Sequence, residues 1–135
     1  MKNLFLLFAL LLGSISFSQS IVITNTTACD KYVQVDWVDN TCTGVPGSPG
    51  GWIVIPAGGM HNFTTAVPAA GDLLRVLITS ATPMTCPVLV LDNPVNPCWT
   101  GPTGGAAPDC KCGGNFNANL TVLAGPPGNY VITIT

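Results

Sequence analysis

Glutamate is absent from this chain, histidine occurs once, and only four of 135 residues are lysine or arginine. One of those cations, Lys2, lies in an N-terminal export signal, which leaves Lys31, Arg75 and Lys111 against six aspartates. A nucleic-acid binder neutralises several phosphates with clustered Lys or Arg, so this composition excludes nucleic acid as a partner. Adsorption to an anionic lipid surface fails for the same reason.

Long apolar runs are also scarce. The one at residues 4–12 has nine residues, whereas a bilayer-spanning helix needs about 20. Lys2 precedes it and the small-x-small sequence Ser16-Phe17-Ser18 follows it, so residues 1–18 read as a removable signal peptide and 19–135 as a single domain. Ser18-Gln19-Ser20 offers a second cleavage site two residues later. No cysteine stands at either cut, so no lipid anchor is expected. The expected location is extracellular or periplasmic, with no membrane insertion once the signal is gone. The Phe17-Ser18-Gln19 ending is similar to export signals of secreted Bacteroidota proteins.

Catalytic patterns are missing as well. Ser48 and Ser80 lie outside any G-x-S-x-G elbow. Gly58-Gly59 and Gly113-Gly114 lack the strand-to-helix setting of a phosphate loop. His61 alternates with Phe63 on an expected strand, the position of a partly buried structural histidine or an exposed strand residue and not of a general base. Asp30, Asp36, Asp39, Asp72, Asp92 and Asp109 form no opposed pair of the kind glycoside hydrolysis needs. The expectation is a protein that is not an enzyme and has no cofactor. A small extracellular hydrolase with a site invisible to pattern is the enzymatic alternative.

What the chain does have is period-two alternation broken by Gly, Pro and Asn clusters, the mark of short antiparallel strands. Eight are expected, over 21–24, 31–38, 51–55, 60–65, 73–79, 88–91, 117–123 and 129–135. On the second, Val33, Val35 and Trp37 share one face. Trp37 and Trp52 read as core residues. Reversals are expected at 56–59 and 124–128. Eight short strands and no helical period predict an all-β fold, a two-sheet antiparallel sandwich, with a partly open barrel as the alternative.

Six cysteines in an exported chain predict three disulfides. If successive strands reverse direction, Cys29 and Cys86 fall at one end of the sandwich and Cys42, Cys98, Cys110 and Cys112 at the other. An eight-residue strand is roughly 26 Å long, and bonded cysteines need Cα atoms within about 7 Å. Cys29–Cys86 is therefore the preferred pair, with Cys42 and Cys98 each taking one of Cys110 and Cys112. The rival reading is zinc held by Cys98, Cys110, Cys112 and His61. C-x-C spacing and an oxidising compartment both speak against it, so no metal is expected.

Residues 92–116 lack periodicity and carry three cysteines. Loops of this length are functional or stapled. Trp99 beside Cys98, with Asp92, Asn93, Asn96 and Asp109, forms the candidate ligand contact, an aromatic platform ringed by oxygen donors. Ile21-Val22-Ile23-Thr24-Asn25, Cys29, Tyr32-Val33 and Pro56-Ala57-Gly58-Gly59 together resemble the opening of thaumatin-like sandwiches. Gly128-Asn129-Tyr130-Val131-Ile132-Thr133 resembles the closing strand of immunoglobulin-like adhesin modules. Both resemblances imply a sandwich and carry over no site residue. The functional expectation is a secreted, non-catalytic binding or surface-interaction module whose ligand is a glycan or a surface protein. The structural alternative is a subunit that assembles by strand addition at the edge of 130–135.

Overall fold

The computed structural model describes residues 18–38, 41–44, 50–66, 73–82, 85–93, 98–123 and 129–135. Residues 1–17 of the expected 1–18 signal, the expected turn at 124–128, and Asp39, Ser48, Asp72 and Asn96 lie outside the described residues.

Among the described residues every regular element is a strand. They are β1 (Ser18–Asn25), β2 (Lys31–Val38), β3 (Ile53–Ile55), β4 (Met60–Ala66), β5 (Leu73–Thr79), β6 (Leu89–Asp92), β7 (Gly104–Pro108), β8 (Asn115–Val122) and β9 (Asn129–Ile134). They form a five-stranded sheet, β4-β1-β9-β8-β7, and a four-stranded sheet, β3-β2-β5-β6. The protein is thus a disulfide-stabilised β-sandwich and not a barrel. All neighbouring strands are antiparallel except β1 and β9, which run side by side in parallel.

Alternation drives the assembly. Val33, Val35 and Trp37 of β2 and Leu74, Val76 and Ile78 of β5 point inward. Ile21, Ile23, Phe116, Ala118, Leu120, Tyr130 and Ile132 project from the facing sheet to meet them. Each fully buried large aliphatic side chain contributes about 1.5–3 kcal/mol to holding the sheets together. Trp37 closes one end of this core by an edge contact with Tyr130 at 6.3 Å, while Trp52 is only half-buried. The turn at 56–59 is as expected: Gly59 N–H donates to the Pro56 carbonyl at 2.9 Å, and Gly58 takes a φ of 66°.

Two expectations are corrected. First, the described residues form nine strands and not eight. β7 has the sequence Gly-Gly-Ala-Ala-Pro, with none of the β-branched or aromatic residues that mark a strand, yet it pairs with β8 along its whole length. Second, β9 is no edge; it lies between β1 and β8, so strand addition there is closed off.

The extra strand also corrects the cysteine pairing. The bridges are Cys29–Cys112, Cys42–Cys98 and Cys86–Cys110. Neither Cys29–Cys86 nor a link from Cys42 or Cys98 to Cys110 or Cys112 is formed. β7 carries the chain back across the sandwich, so Cys110 and Cys112 arrive at the end that holds Cys29 and Cys86. Cys42 and Cys98 are left together at the other. Three bridges point to an oxidising compartment, and no described helix is long and apolar enough to cross a membrane.

Candidate functional site

The segment expected to present one contact surface is split by β7 between the two ends of the molecule. Asp92, Asn93 and Trp99 stay at one end with Cys42–Cys98, Asp109 goes to the other, and Asn96 lies outside the described residues.

At the first end, the strand register sets Arg75 of β5 between Asp36 of β2 and Asp92 of β6. All three lie on the outer face of the smaller sheet, opposite the inward residues 74, 76 and 91. Asp92 is nevertheless fully buried, because the chain from 98 to 102 folds over it. The Arg75 guanidinium grips its carboxylate through both oxygens, Nε to Oδ1 at 2.8 Å and Nη2 to Oδ2 at 3.1 Å. The Gly101 N–H donates to the same Oδ2 at 2.7 Å. A Cβ at Gly101 would overlap that carboxylate oxygen, so a glycine is needed for the covering chain to come this close. The Asp92 N–H donates to the Pro102 carbonyl at 2.9 Å, tying the same chain down through its backbone. Trp99 then stands against Arg75, its ring centroid 4.4 Å from the guanidinium carbon. A cation–π contact of this kind contributes about 0.5–2 kcal/mol. Trp99 is half-buried and is fixed from two sides, by the locked arginine below and by the Cys42–Cys98 bridge next to it in sequence. Asn93 is turned inward, donating from Nδ2 to the Tyr130 hydroxyl at 2.9 Å.

At the other end a buried ion pair replaces the expected loop surface. Lys31 is fully buried and donates from Nζ to Asp109 Oδ2 at 3.0 Å, Thr27 Oγ1 at 2.9 Å and the Cys29 carbonyl at 3.1 Å. The Phe116 ring lies 5.4 Å from the ammonium. Asp109 Oδ1 accepts the N–H groups of Lys111 and Cys112 at 3.1 and 2.9 Å. Burial alone would push the Asp109 carboxyl up; the hydrogen bonds from Cys112, Lys31 and Lys111 outweigh it and hold it below the ordinary 3.8. On the surface above, Lys111 bonds Asp30 at 2.9 Å, which lowers the Asp30 carboxyl and raises the Lys111 ammonium. Ser80 is buried and bonded within the protein: it accepts the Cys110 N–H at 2.8 Å and lies 3.2 Å from Cys86 Sγ.

No known family model matches the chain, and no curated protein matches it.

His61 lies on β4, exposed, with its ring 4.6 Å from that of Phe63. Every cysteine is in a disulfide, and among the described residues no three His, Cys, Asp or Glu side chains gather as metal ligands. The residues that sequence reasoning passed over are Arg75 and Lys31. A buried aspartate needs a cation, but which aspartates are buried, and beside which of the three cations, is set by strand register and loop packing and has no sign in the composition.

Proposed function

We propose that the protein is a secreted, non-catalytic binding module whose contact surface is the Trp99 end of the smaller sheet, with a glycan as the ligand class. The observation that carries this reading is Trp99 itself. It is a large aromatic kept partly exposed by a stack of fixed groups: buried Asp92, Arg75 clamped to it, and a disulfide one residue away. Binding an already ordered aromatic avoids the entropy of ordering it on contact, which is how preorganised sites gain affinity. Asp36, in register with Arg75 on the exposed sheet surface, adds a hydrogen-bonding group suited to sugar hydroxyls.

Support for a non-catalytic role comes from where the reactive groups are spent. The carboxylates of Asp92 and Asp109 and the hydroxyl of Ser80 all serve internal partners. Screening the disulfide-intact protein against immobilised glycans tests the reading. Trp99→Ala should weaken binding at least about tenfold, the loss expected of an anchoring aromatic, and leave the melting temperature within a few degrees. Binding that is indifferent to Trp99 would remove this end of the molecule from the function.

A further inference from the structure

We infer that the protein forms a closed, two-fold dimer by antiparallel pairing of β4 with β4 of a second copy. Among the described strands four stand at sheet edges, β3, β4, β6 and β7, and three of them are blunted in ways that natural sheets use against association. β3 has three residues. β6 has four, and its last residue already bonds the Pro102 carbonyl through the N–H of Asp92. β7 ends in Pro108, which has no N–H to donate, and packs beside β6 where the chain crosses between the sheets.

β4 has none of these devices. It runs for seven residues, Met60–Ala66, with no proline, lysine, arginine, aspartate or glutamate. It pairs with β1 on one side only, and among the described residues nothing pairs with its other side. Met60 is 67 % exposed and Asn62 is exposed beside it, so the strand is not covered from above.

Charge decides the occupant. The described charged side chains sit on β2, β5 and β6 and in the loops at 30 and 109–111, and none sits on β4. A neutral edge offers nothing to select a charged peptide and nothing to repel its own copy. The strand also suits itself in one register. Centred on Phe63, it sets Asn62 opposite Thr64 of the second copy, His61 opposite Thr65 and Phe63 opposite Phe63. An aromatic pair such as Phe63 with Phe63 is a favourable cross-strand contact. Because the same strand is used on both sides, the contact is isologous and consumes both β4 edges, so assembly stops at two. The surface lies on the larger sheet, away from Trp99, and the inference stands independently of the binding role.

Sedimentation equilibrium of the disulfide-intact protein over a wide concentration range is the test. The expected result is a reversible monomer–dimer equilibrium with nothing larger. Asn62→Lys combined with Thr64→Lys sets like charges directly opposite each other across the dimer and should weaken it by at least about tenfold. Asn62→Lys combined with Thr64→Asp sets opposite charges there and should restore it, more strongly at low salt. Hydrogen exchange on the unaltered protein supplies a readout free of any folding defect in the variants: amides of β4 should become slower to exchange as concentration rises. A monomer at every concentration, a continuing series of larger species, or β4 exchange indifferent to concentration would each overturn the dimer.

Discussion

Lys31 shows how a single residue can organise one end of this molecule. A buried ammonium is tolerated only when its donors are satisfied, and here three oxygens and an aromatic ring surround it. Lys31→Met keeps the apolar stem and removes the charge, leaving Asp109 ionised and buried without its cation. That should cost about 3–5 kcal/mol in denaturant unfolding. The pH dependence follows from the same contact. Asp109 is held below 3.8 in the folded chain, so its contribution is present above that value and is lost as pH falls through the lower, folded one. The Lys31→Met protein should therefore start from lower stability at neutral pH and lose less on acidification, because one of the bonds that holds the carboxyl down is gone. A fall as steep as that of the unaltered protein would show that Asp109 owes its ionisation to the Lys111 and Cys112 amides alone.

β7 is the element whose existence depends most on its neighbours. The other eight were legible in sequence because Val, Ile, Leu and aromatic residues alternate with polar ones. Thus Tyr130, Ile132 and Ile134 of β9 point inward as their spacing requires. In Gly-Gly-Ala-Ala-Pro the alternation exists, but its side chains are too small to register: Ala107 alone reaches the core. The two glycines make room for other residues. A Cβ at Gly104 would overlap Asn119 Oδ1, and one at Gly105 would press on Leu89 Cδ1 at 2.9 Å. Gly104→Val should thus destabilise the fold by about 1–3 kcal/mol despite raising strand propensity. Asn119→Ala in the same chain should recover most of that loss in thermal melts. No recovery would mean that Gly104 is needed for its backbone and not for its neighbour. The buried Arg75–Asp92 pair was equally hard to read, since it depends on strand register and on a covering loop, neither of which has a compositional sign. The turn between β7 and β8 was half-legible: Gly113 and Gly114 both take positive φ, 78° and 75°, so the double glycine marks a reversal.

At the scale of the whole molecule, strand count and bridge pattern are one fact. With nine alternating strands, Cys42 and Cys98 are alone at their end, and Cys110 and Cys112 must divide Cys29 and Cys86 between them. Proteolysis after Lys111 without reduction separates the two bridges. With cuts at Lys31 and Arg75 as well, the Cys112 peptide should stay joined to the Cys29 peptide alone, and the Cys42 peptide to the one that carries Cys98; a Cys42 peptide joined to the Cys112 peptide would refute the nine-strand topology. The bridges span 83, 56 and 24 residues, and the loop-closure model credits the longest with about 4.5 kcal/mol and the shortest with about 3.5. The parallel β1–β9 pair has a mechanical meaning as well. Because these strands run the same way side by side, Ser18 and Thr135 lie at opposite ends of the sandwich. Tension applied between those two points acts along both strands and shears their hydrogen bonds all at once instead of peeling them one by one. Should they give way, the pull passes through the Cys29–Cys112 bond straight from the end of the first strand to the start of the eighth. Residues 30–111, with Trp99 and the other two bridges, hang outside the load path, so the proposed contact surface would keep its shape while the ends of the chain are pulled.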